Sequence, residues 1–285
     1  MIRIFKYFVQ SIFIYLFFFI GKVLGISVSR KLFSRIFLFV GPLFKSKNII
    51  DYNLKIYSSN LSNNEKNFIK SEMWKNYGMT FIEYAFLRFF QRNTSQTKID
   101  GEEVLTRLIK QKQQAIFISG HFANYEMMSM EIVKRGVQLA TIYRPLNNFF
   151  LNPLMEYLRR KYVCKNQIKK GVLGVRNAIK FLKKGHSIAL MIDQRVSEGE
   201  RVDFFGKPAL TTTLPAQLSL KFDLPIVPVF IQRDKNNKFL IKFYNEIKFE
   251  KIKNKFEIKK KLNLILEDMI KKNSGQWIWT HNRWK

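Results

Sequence analysis

The segment of greatest chemical interest is SGHFANYE at residues 119–126, in which His121 is followed five positions later by Glu126. The pKa of an imidazole lies near neutrality, so His121 can take a proton from a hydroxyl and return it within one reaction cycle. A carboxylate on the second ring nitrogen would fix the tautomer of the histidine, and Glu126 is the candidate for this role. The segment therefore predicts a general base, His121, with Glu126 as its orienting partner.

The source of the proton is constrained by the rest of the sequence. Histidine activates serine in many hydrolases, but no serine of this chain stands in the Gly-x-Ser-x-Gly context of a nucleophile elbow. We therefore expect the proton to come from a hydroxyl of the substrate. The His-x4-Glu spacing is weak evidence in isolation, because a histidine at a helix start and an unrelated exposed glutamate would give the same pattern.

The residues around His121 place it at the edge of a sheet. Residues 115–118 form an apolar run typical of a buried strand, Gly120 permits a sharp turn, and residues 126–133 carry apolar side chains at helical spacing. His121 would then follow the carboxyl end of a strand, where open α/β sheets bind their ligands.

Strand-like and helix-like stretches alternate along most of the chain. The strand candidates are residues 115–119, 138–143, 187–192, 225–232 and 239–244. The helix candidates are residues 126–134, 149–162, 172–184, 211–222 and 257–271. This alternation predicts an α/β fold with a mostly parallel sheet flanked by helices. A helical region from residue 51 to about residue 92, capped at Ser62 and Glu65, is predicted before it.

The amino terminus predicts a membrane anchor. Residues 7–21, YFVQSIFIYLFFFIG, are uncharged and strongly apolar, and the apolar character continues beyond Lys22. A bilayer-crossing helix needs about 20 mostly apolar residues. A cleaved signal peptide is the alternative, but a clear Ala-x-Ala site is missing and a second apolar stretch follows at residues 36–44. We expect residues 1–48 to form an uncleaved anchor with a basic amphipathic segment, and residues 49–285 to form the α/β domain.

The chain is strongly basic, with 50 lysines and arginines against 21 acidic residues and a formal net charge of +29. Such a surface attracts anions, which include nucleic acid, anionic lipid headgroups and acidic carrier proteins. A lysine-rich, AT-biased genome would also raise the number of basic residues. Six basic residues lie between Lys22 and Lys47, after the apolar run, so the positive-inside rule favours a cytoplasmic α/β domain.

Several classes of function are disfavoured by what the sequence lacks. Cys164 is the only cysteine, so neither an intramolecular disulfide nor a cysteine zinc cluster can form. His121, His186 and His281 do not have the spacing of metal ligands, so we expect no metal and no other cofactor. A membrane-tethered basic nucleic-acid-binding protein is an alternative function, but zinc-finger spacing, a recognisable helix-turn-helix and an RNP-like aromatic pattern are all missing, so we expect no nucleic-acid partner.

Arg144 is a candidate for binding an anion. It follows the predicted strand at residues 138–143 and should emerge on the same sheet edge as His121. From there its guanidinium could hold a phosphate or an oxyanion. The alternative is a surface arginine that is fixed only by the turn before Pro145.

Two further blocks supply candidate binding residues. Asp193 and Gln194 stand at the end of another predicted strand. Phe204, Phe205 and Gly206 form an apolar loop that could lie against an acyl chain.

Together these blocks resemble the late acyltransferases of lipid A biosynthesis, the lauroyl/myristoyl family within the wider glycerolipid acyltransferase group. The matching blocks cover most of the chain and are the amino-terminal anchor, GHFANYE, YRP at residues 143–145, DQ at residues 193–194, FFGKPA at residues 204–209 with the threonines after it, and QWIWTHNRWK at residues 276–285. Ala123 and Tyr125 stand where the family more often has Gly and Trp, which are changes of size that leave the chemistry intact. The Phe-Pro-Glu-Gly block of glycerolipid acyltransferases is missing, which favours the lipid A branch.

The resemblance implies a reaction and roles for the residues. His121 would deprotonate a hydroxyl of the acceptor, Glu126 would orient His121, and the hydroxyl would attack the thioester of an acyl carrier. The oxyanion of the tetrahedral intermediate needs hydrogen-bond donors. Asn124, backbone amides at the start of the following helix and Arg144 are the candidates.

The resemblance also implies partners and a location. In this family the donor is acyl carrier protein, which is acidic, and the acceptor is a phosphorylated disaccharide lipid, so a basic rim would attract both. The reaction would belong to lipopolysaccharide biosynthesis at the cytoplasmic face of the inner membrane. Alternatives are coenzyme A as the donor carrier, and another glycolipid, a lysophospholipid or glycerol phosphate as the acceptor. A noncatalytic lipid-binding protein is a further alternative, which the intact pair of His121 and Glu126 disfavours.

Overall fold

The computed structural model of the protein describes residues 2–44, 47–249 and 254–285. Within these ranges the helices are α1 (Ile2–Phe44), α2 (Lys47–Tyr57), α3 (Asn63–Glu83), α4 (Leu87–Arg92), α5 (Glu102–Lys110), α6 (Glu126–Lys134), α7 (Asn152–Tyr162), α8 (Val172–Lys183), α9 (Leu214–Phe222) and α10 (Lys255–Lys272). The strands are β1 (Thr97–Asp100), β2 (Ile116–Ser119), β3 (Leu139–Tyr143), β4 (Asn166–Lys169), β5 (Ser187–Met191), β6 (Glu200–Phe204), β7 (Lys207–Thr211), β8 (Ile226–Arg233) and β9 (Phe239–Phe243). Residues 1, 45–46 and 250–253 of the predicted anchor and domain lie outside the described ranges.

Seven strands form one sheet in the order β1-β9-β8-β2-β5-β3-β4. Five of them, β2, β3, β4, β5 and β8, run parallel to one another, whereas β9 is antiparallel to β8 and parallel to β1. Strands β6 and β7 form a separate antiparallel hairpin. The predicted α/β fold with a mostly parallel sheet flanked by helices is therefore confirmed.

The centre of the sheet determines where the site forms. Every residue of β2 is buried, as expected for a parallel strand that is covered on both faces. The register pairs Ser119, the last residue of β2, with Met191, the last residue of the neighbouring β5. Residues 121 and 193 each lie two positions beyond this pair, so they leave the sheet side by side at its carboxyl edge.

Helix α1 is long, apolar and bent. It is long and apolar enough to cross a membrane, and most of its large apolar side chains are exposed. Gly25 has a φ of 72°, a conformation that favours glycine, and divides the helix into two parts. Beyond the bend α1 packs on α3, where Gly78 lies so close to the backbone carbonyl of Phe33 that a side chain would not fit. The long apolar helix predicted at the amino terminus is thus present.

The cap predicted for the second helical segment is confirmed. Ser62 Oγ accepts a hydrogen bond from the backbone N–H of Glu65 at 3.2 Å, and Glu65 Oε2 accepts one from the backbone N–H of Ser62 at 2.7 Å. The reciprocal pair satisfies two donors that a helix start leaves free, which fixes the beginning of α3.

Candidate active site

His121 lies just beyond the carboxyl end of β2, in the turn that leads to α6. Its Nδ1 is 2.7 Å from Oδ1 of Asp193, which follows β5, and its backbone N–H donates to Oδ2 of the same carboxylate at 2.8 Å. An ionised carboxylate can only accept hydrogen bonds, so we assign the imidazole proton to Nδ1, and Nε2 keeps its lone pair. The side chain of His121 is 18% exposed and borders a cavity, so Nε2 is available to a substrate hydroxyl.

The carboxylate of Asp193 is fully buried but well satisfied. In addition to the two contacts with His121, Oδ2 accepts a hydrogen bond from Nε1 of Trp277 at 2.8 Å. Burial by itself would raise the pKa of Asp193, but the electrostatic interaction with His121 and the hydrogen bonds from His121 and Trp277 outweigh burial and hold this pKa below its usual value. Asp193 therefore stays ionised at neutral pH and holds the imidazole in one tautomer.

The prediction that Glu126 orients His121 is wrong. Glu126 begins α6, and its buried Oε1 accepts hydrogen bonds from the hydroxyl of Tyr84 at 2.6 Å and from Nε of Arg159 at 2.7 Å. The Nδ1 side of His121 faces β5, the neighbouring strand, and is occupied by Asp193. Glu126 nevertheless lines the same cavity as His121.

Glu126 holds a buried arginine in place. Nη2 of Arg159, on α7, also donates to the hydroxyl of Tyr84 at 3.2 Å. Burial opposes the charge of Arg159, but Glu126 and Tyr84 outweigh burial and raise the pKa of Arg159, so the guanidinium stays cationic. Nη1 of Arg159 is buried without a hydrogen-bond partner among the described residues, and Arg159 lines the cavity. A buried free donor is costly, so Arg159 offers a position for an anion.

Asn124, predicted as an oxyanion donor, points away from the cavity. Its side chain is fully buried, and Nδ2 donates to Oε2 of Glu83 at 2.9 Å. Glu83 also accepts hydrogen bonds from Arg30 of α1 at 2.6 Å and from Arg233 at the end of β8 at 3.1 Å. The amide of Asn124 therefore ties the turn after His121 to three other segments, and its predicted contact with an oxyanion is wrong.

A cavity of about 500 Å³ opens beside His121, and we call it the site cavity. The polar side chains that line it include Arg144, Arg159, Lys170 and Gln194, and the apolar ones include Ile142, Leu190, Met191 and Leu214. Partial desolvation and the neighbouring charge of Arg144 lower the pKa of Lys170, although its side chain is accessible to solvent. An anion bound between these two cations would relieve their repulsion. The structure thus brings Arg144 and Gln194 to the cavity of His121, while their binding roles remain predictions.

Phe204, Phe205 and Gly206 are not among the described residues that line the site cavity. They belong to the β6–β7 hairpin, where Phe204 is fully buried with its ring centroid 5.5 Å from that of Trp284. The backbone N–H of Phe205 donates to Glu267 of α10 at 2.7 Å. Phe204 packs the hairpin against the end of the chain, and the contact of this loop with an acyl chain stays a prediction.

The carboxyl-terminal segment contacts both loops that carry the site residues. Trp277 holds Asp193, and the carbonyl of Gln276 accepts a hydrogen bond from the backbone N–H of Ala123 at 3.0 Å. Ala123 has a φ of 43°, in the left-handed region that favours glycine.

His281 supports the loop after β5 as a neutral imidazole. Its Nε2 accepts a hydrogen bond from the backbone N–H of Arg195 at 2.9 Å. Burial lowers the pKa of His281 to about 4; the charge of Asp193 opposes this shift and that of His121 adds to it. His281 is therefore no rival to His121 as a base at neutral pH.

This buried histidine predicts a loss of stability in acid. The unfolded chain protonates His281 near pH 6.5, whereas the folded protein keeps it neutral down to about pH 4, so the free energy of unfolding should fall as the pH drops through this window. His281→Asn keeps an acceptor for Arg195 but cannot be protonated. Thermal unfolding across this window should show a smaller loss of stability for the variant. Equal losses in the two proteins would contradict the argument.

Sequence analysis missed two parts of the site. Arg159 lies in YLRRKY, where nothing in the sequence distinguishes it from its exposed neighbour Arg160. The sequence marks Asp193 only as a binding candidate, because its contact with His121 depends on which strands are neighbours. Among the described residues, no group of three or more His, Cys, Asp or Glu side chains is placed to hold a metal ion.

The fold and the site together define an α/β protein that can activate a hydroxyl at the edge of its sheet. His121, held at Nδ1 by Asp193, lines the same cavity as the cationic side chains of Arg144, Arg159 and Lys170. This combination suits the transfer of a group to a hydroxyl of an anionic substrate.

Comparison with known proteins identifies the family. The model of the bacterial lipid A biosynthesis acyltransferase family matches residues 1–285, and the chain belongs to this family. A lipid A biosynthesis acyltransferase of Haemophilus influenzae is 24% identical over 241 residues, which cover 82% of this chain and 75% of that protein. The chain is also similar to the crystal structure of the 1-acyl-sn-glycerophosphate acyltransferase PlsC from Thermotoga maritima, with a TM-score of 0.43 and 15% identity over 86% of this chain and 97% of that one.

The resemblance inferred from the sequence blocks is confirmed by the family match. The protein is an acyltransferase of lipid A biosynthesis. Its apolar helix α1, together with this family, indicates a membrane-anchored protein.

Proposed function

We propose that this protein transfers a fatty acyl group from the thioester of acyl carrier protein to a hydroxyl of a lipid A precursor, at the cytoplasmic face of the inner membrane. The observation that carries the proposal is the buried carboxylate of Asp193 on Nδ1 of His121, which leaves Nε2 free to act as a base beside the site cavity. Membership of the lipid A acyltransferase family supports the choice of an acyl donor and a lipid acceptor.

His121 moves one proton through the reaction. Nε2 accepts the proton of the acceptor hydroxyl while the hydroxyl oxygen attacks the thioester carbon, and the carbonyl oxygen becomes an oxyanion. When the tetrahedral intermediate collapses, the C–S bond breaks and the proton on Nε2 passes to the leaving thiolate. The carboxylate of Asp193 stabilises the imidazolium between the two steps.

Arg159 is the donor that we propose for the oxyanion. Its Nη1 is buried, lacks a partner among the described residues and belongs to a side chain that lines the site cavity. Glu126 and Tyr84 hold the guanidinium in one orientation, so no reorganisation is needed when the negative charge develops. Glu126 would then act on catalysis as a positioning residue for Arg159.

The remaining cavity residues suit the two substrates. We propose that Arg144 and Lys170 bind a phosphate of the acceptor, and that Gln194 contributes a polar contact beside them. Apolar side chains such as Ile142 and Leu190 can contact the methylene groups next to the thioester. The net charge of +29 would attract both an acidic carrier protein and an anionic glycolipid.

The location follows from the amino-terminal segment. We propose that residues 1–48 anchor the protein and that residues 49–285 keep the site on the cytoplasmic side. The exposed apolar side chains of α1 support the anchor, and the basic residues that follow the apolar run support the orientation.

The direct test is acyl transfer by the purified full-length protein in mixed micelles. Labelled acyl–acyl carrier protein is supplied with a lipid A precursor, and parallel reactions replace the donor with acyl-coenzyme A or the acceptor with a lysophospholipid or glycerol phosphate. Transfer from the carrier protein to the lipid A precursor supports the proposal. Transfer only to another acceptor would assign the alternative substrate, and no transfer to any acceptor would reject the proposal.

Arg159→Lys tests the proposed oxyanion donor. Lysine keeps the positive charge but lacks the planar guanidinium, which contacts Glu126 and reaches the cavity at the same time. We therefore expect kcat to fall about 100-fold, the typical effect of losing one oxyanion donor, with little change in KM. Arg160→Lys, on the exposed neighbour, is the matched control and should retain activity. A rise in KM with unchanged kcat would instead indicate that Arg159 binds the substrate and not the oxyanion.

A further inference from the structure

Four exposed apolar side chains lie in the two segments that contribute Leu146 and Lys170 to the site cavity. Val172 and Leu173, at the start of α8, are 77% and 70% exposed, and Leu146 and Phe149, between β3 and α7, are exposed as well. Leu146 itself lines the cavity. We call these four residues the rim patch.

The backbone brings the two segments that carry the rim patch to the same edge of the sheet as the cavity. The two segments that carry it follow β3 and β4, neighbouring parallel strands that end at the same edge of the sheet. The backbone N–H of Lys170 donates to the carbonyl of Tyr143 at 2.8 Å, which holds the two segments together at that edge. Lys170, two residues before Val172, lines the same cavity as Leu146.

The rim patch is continuous with the exposed face of α1. The ring centroid of Phe149 lies 6.0 Å from that of Tyr7, and Nδ2 of Asn148 donates to the carbonyl of Tyr7 at 2.8 Å. The hydroxyl of Tyr15 donates to the carbonyl of Phe150 at 2.9 Å. These contacts dock the first part of α1 beside the cavity. Its large exposed side chains include Ile2, Ile4, Phe5, Phe8, Ile12 and Phe13.

Exposed cations accompany these apolar side chains. Arg144, Lys169, Lys170 and Arg176 all lie in or next to the two segments that carry the rim patch, and all are exposed. Apolar side chains below basic ones are typical of an element that lies in the interface of an anionic bilayer. Single exposed apolar residues are ordinary, but a cluster at a cavity mouth that joins an apolar helix is a candidate interaction surface.

We propose that the rim patch is a second membrane contact, which enters the headgroup region of an anionic bilayer and holds the mouth of the site cavity against the lipid. The proposal rests on the membrane location proposed above and extends it from the anchor to the catalytic domain. It follows that the acceptor lipid reaches His121 without leaving the bilayer.

Fluorescence quenching tests this contact in the full-length protein. The environment-sensitive probe NBD is attached to Leu173→Cys in a Cys164→Ser background, and the protein is reconstituted in phosphatidylglycerol vesicles that contain lipids spin-labelled near the headgroup. Phe5→Cys on α1 is the positive control. Ile109→Cys is the negative control, because this exposed residue lies in the last turn of α5, in the segment that leads to the start of β2, and so at the opposite edge of the sheet.

The outcomes distinguish this inference from the proposed membrane location. We expect the probes at residues 173 and 5 to be quenched and the probe at residue 109 to be unaffected. Quenching at residue 5 alone would overturn the rim contact while leaving the anchor in place, and no quenching at either position would reject both. A probe at residue 173 that responds to acyl carrier protein and not to vesicles would make the rim patch a carrier-docking surface and would also overturn the proposal.

Kinetics supply an independent test. The double variant Val172→Asp/Leu173→Asp should raise KM about tenfold for an acceptor embedded in vesicles, because two apolar side chains no longer enter the lipid. KM for an acceptor dispersed in detergent should not change. An equal effect on both forms of the acceptor would contradict a membrane role.

Discussion

Replacement of His121 by alanine should abolish acyl transfer while leaving the fold intact. The substitution removes the base, and loss of a group that is both base and acid should lower kcat by about 10³-fold or more. The backbone N–H of residue 121 can still donate to Asp193, and the partly exposed imidazole leaves no sealed cavity, so the thermal unfolding temperature should change little. The measurement is turnover of labelled acyl donor with a membrane lipid acceptor.

A matched histidine serves as the control. His186 precedes β5 at the amino edge of the sheet, and His186→Ala should retain acyl transfer. Wild-type turnover by the His121→Ala protein would remove His121 from the mechanism. Equal losses in the two variants would point to a general effect on folding and would also contradict the assignment.

The second large loss of acyl-transfer activity is expected for Asp193→Asn. The carboxylate accepts hydrogen bonds from Nδ1 and the backbone N–H of His121 and from Nε1 of Trp277, but an amide offers one oxygen and a competing N–H₂ group. The imidazole would then lose its fixed tautomer and the stabilisation of its charged form. From the corresponding substitution in a serine protease we expect kcat to fall by about 10⁴-fold, with KM nearly unchanged.

Comparison with Glu126→Gln distinguishes the contribution of Asp193 to kcat from that of Glu126. Because the pKa of Asp193 lies below its usual value, Asp193 should remain charged across the assay range, so its loss should appear at every pH. Glu126 contacts Arg159 and Tyr84, and its substitution should act through Arg159, with a smaller effect on kcat than Asp193→Asn. A larger effect of Glu126→Gln, with Asp193→Asn near wild type, would restore the original pairing of Glu126 with His121. Circular dichroism of both variants checks that the fold persists.

The central layer of the fold was predictable because its elements carry strong periodic patterns. The strands β2, β3, β5, β8 and β9 and the helix α6 were predicted within one or two residues, since each has an apolar run or stripe that enters the core. The strands β1, β4, β6 and β7 were missed. β1 and β4 are short edge strands with few buried residues. In the hairpin strands β6 and β7, buried residues are mixed with exposed ones. None of the four strands therefore has the apolar run that is typical of a central strand.

The site was predictable only in part. The local context predicts the position of His121 at the sheet edge, because the strand, the glycine turn and the helix are all contiguous in the sequence. Its partner was not, since Asp193 lies 72 residues away and reaches His121 only because β5 is the neighbour of β2. Glu126 was favoured for its proximity in sequence, and the helix start directs it toward Arg159 instead. Periodicity does not encode the order of strands in a sheet, and this order decides the pairing.

The buried carboxylate of Glu83 connects α1 to the α/β domain. It accepts hydrogen bonds from Arg30 on the amino-terminal helix and from Asn124 in the turn after His121. A shortened fragment that begins after α1 would lose Arg30, one of the two arginines that pair with the buried carboxylate of Glu83, and would weaken the network that also holds Asn124. Helix α1 is therefore an integral part of the folded protein and cannot be removed without loss of stability. We expect that purification requires detergent and the full-length chain, because removal of α1 would destabilise the turn that contains His121 and Asn124.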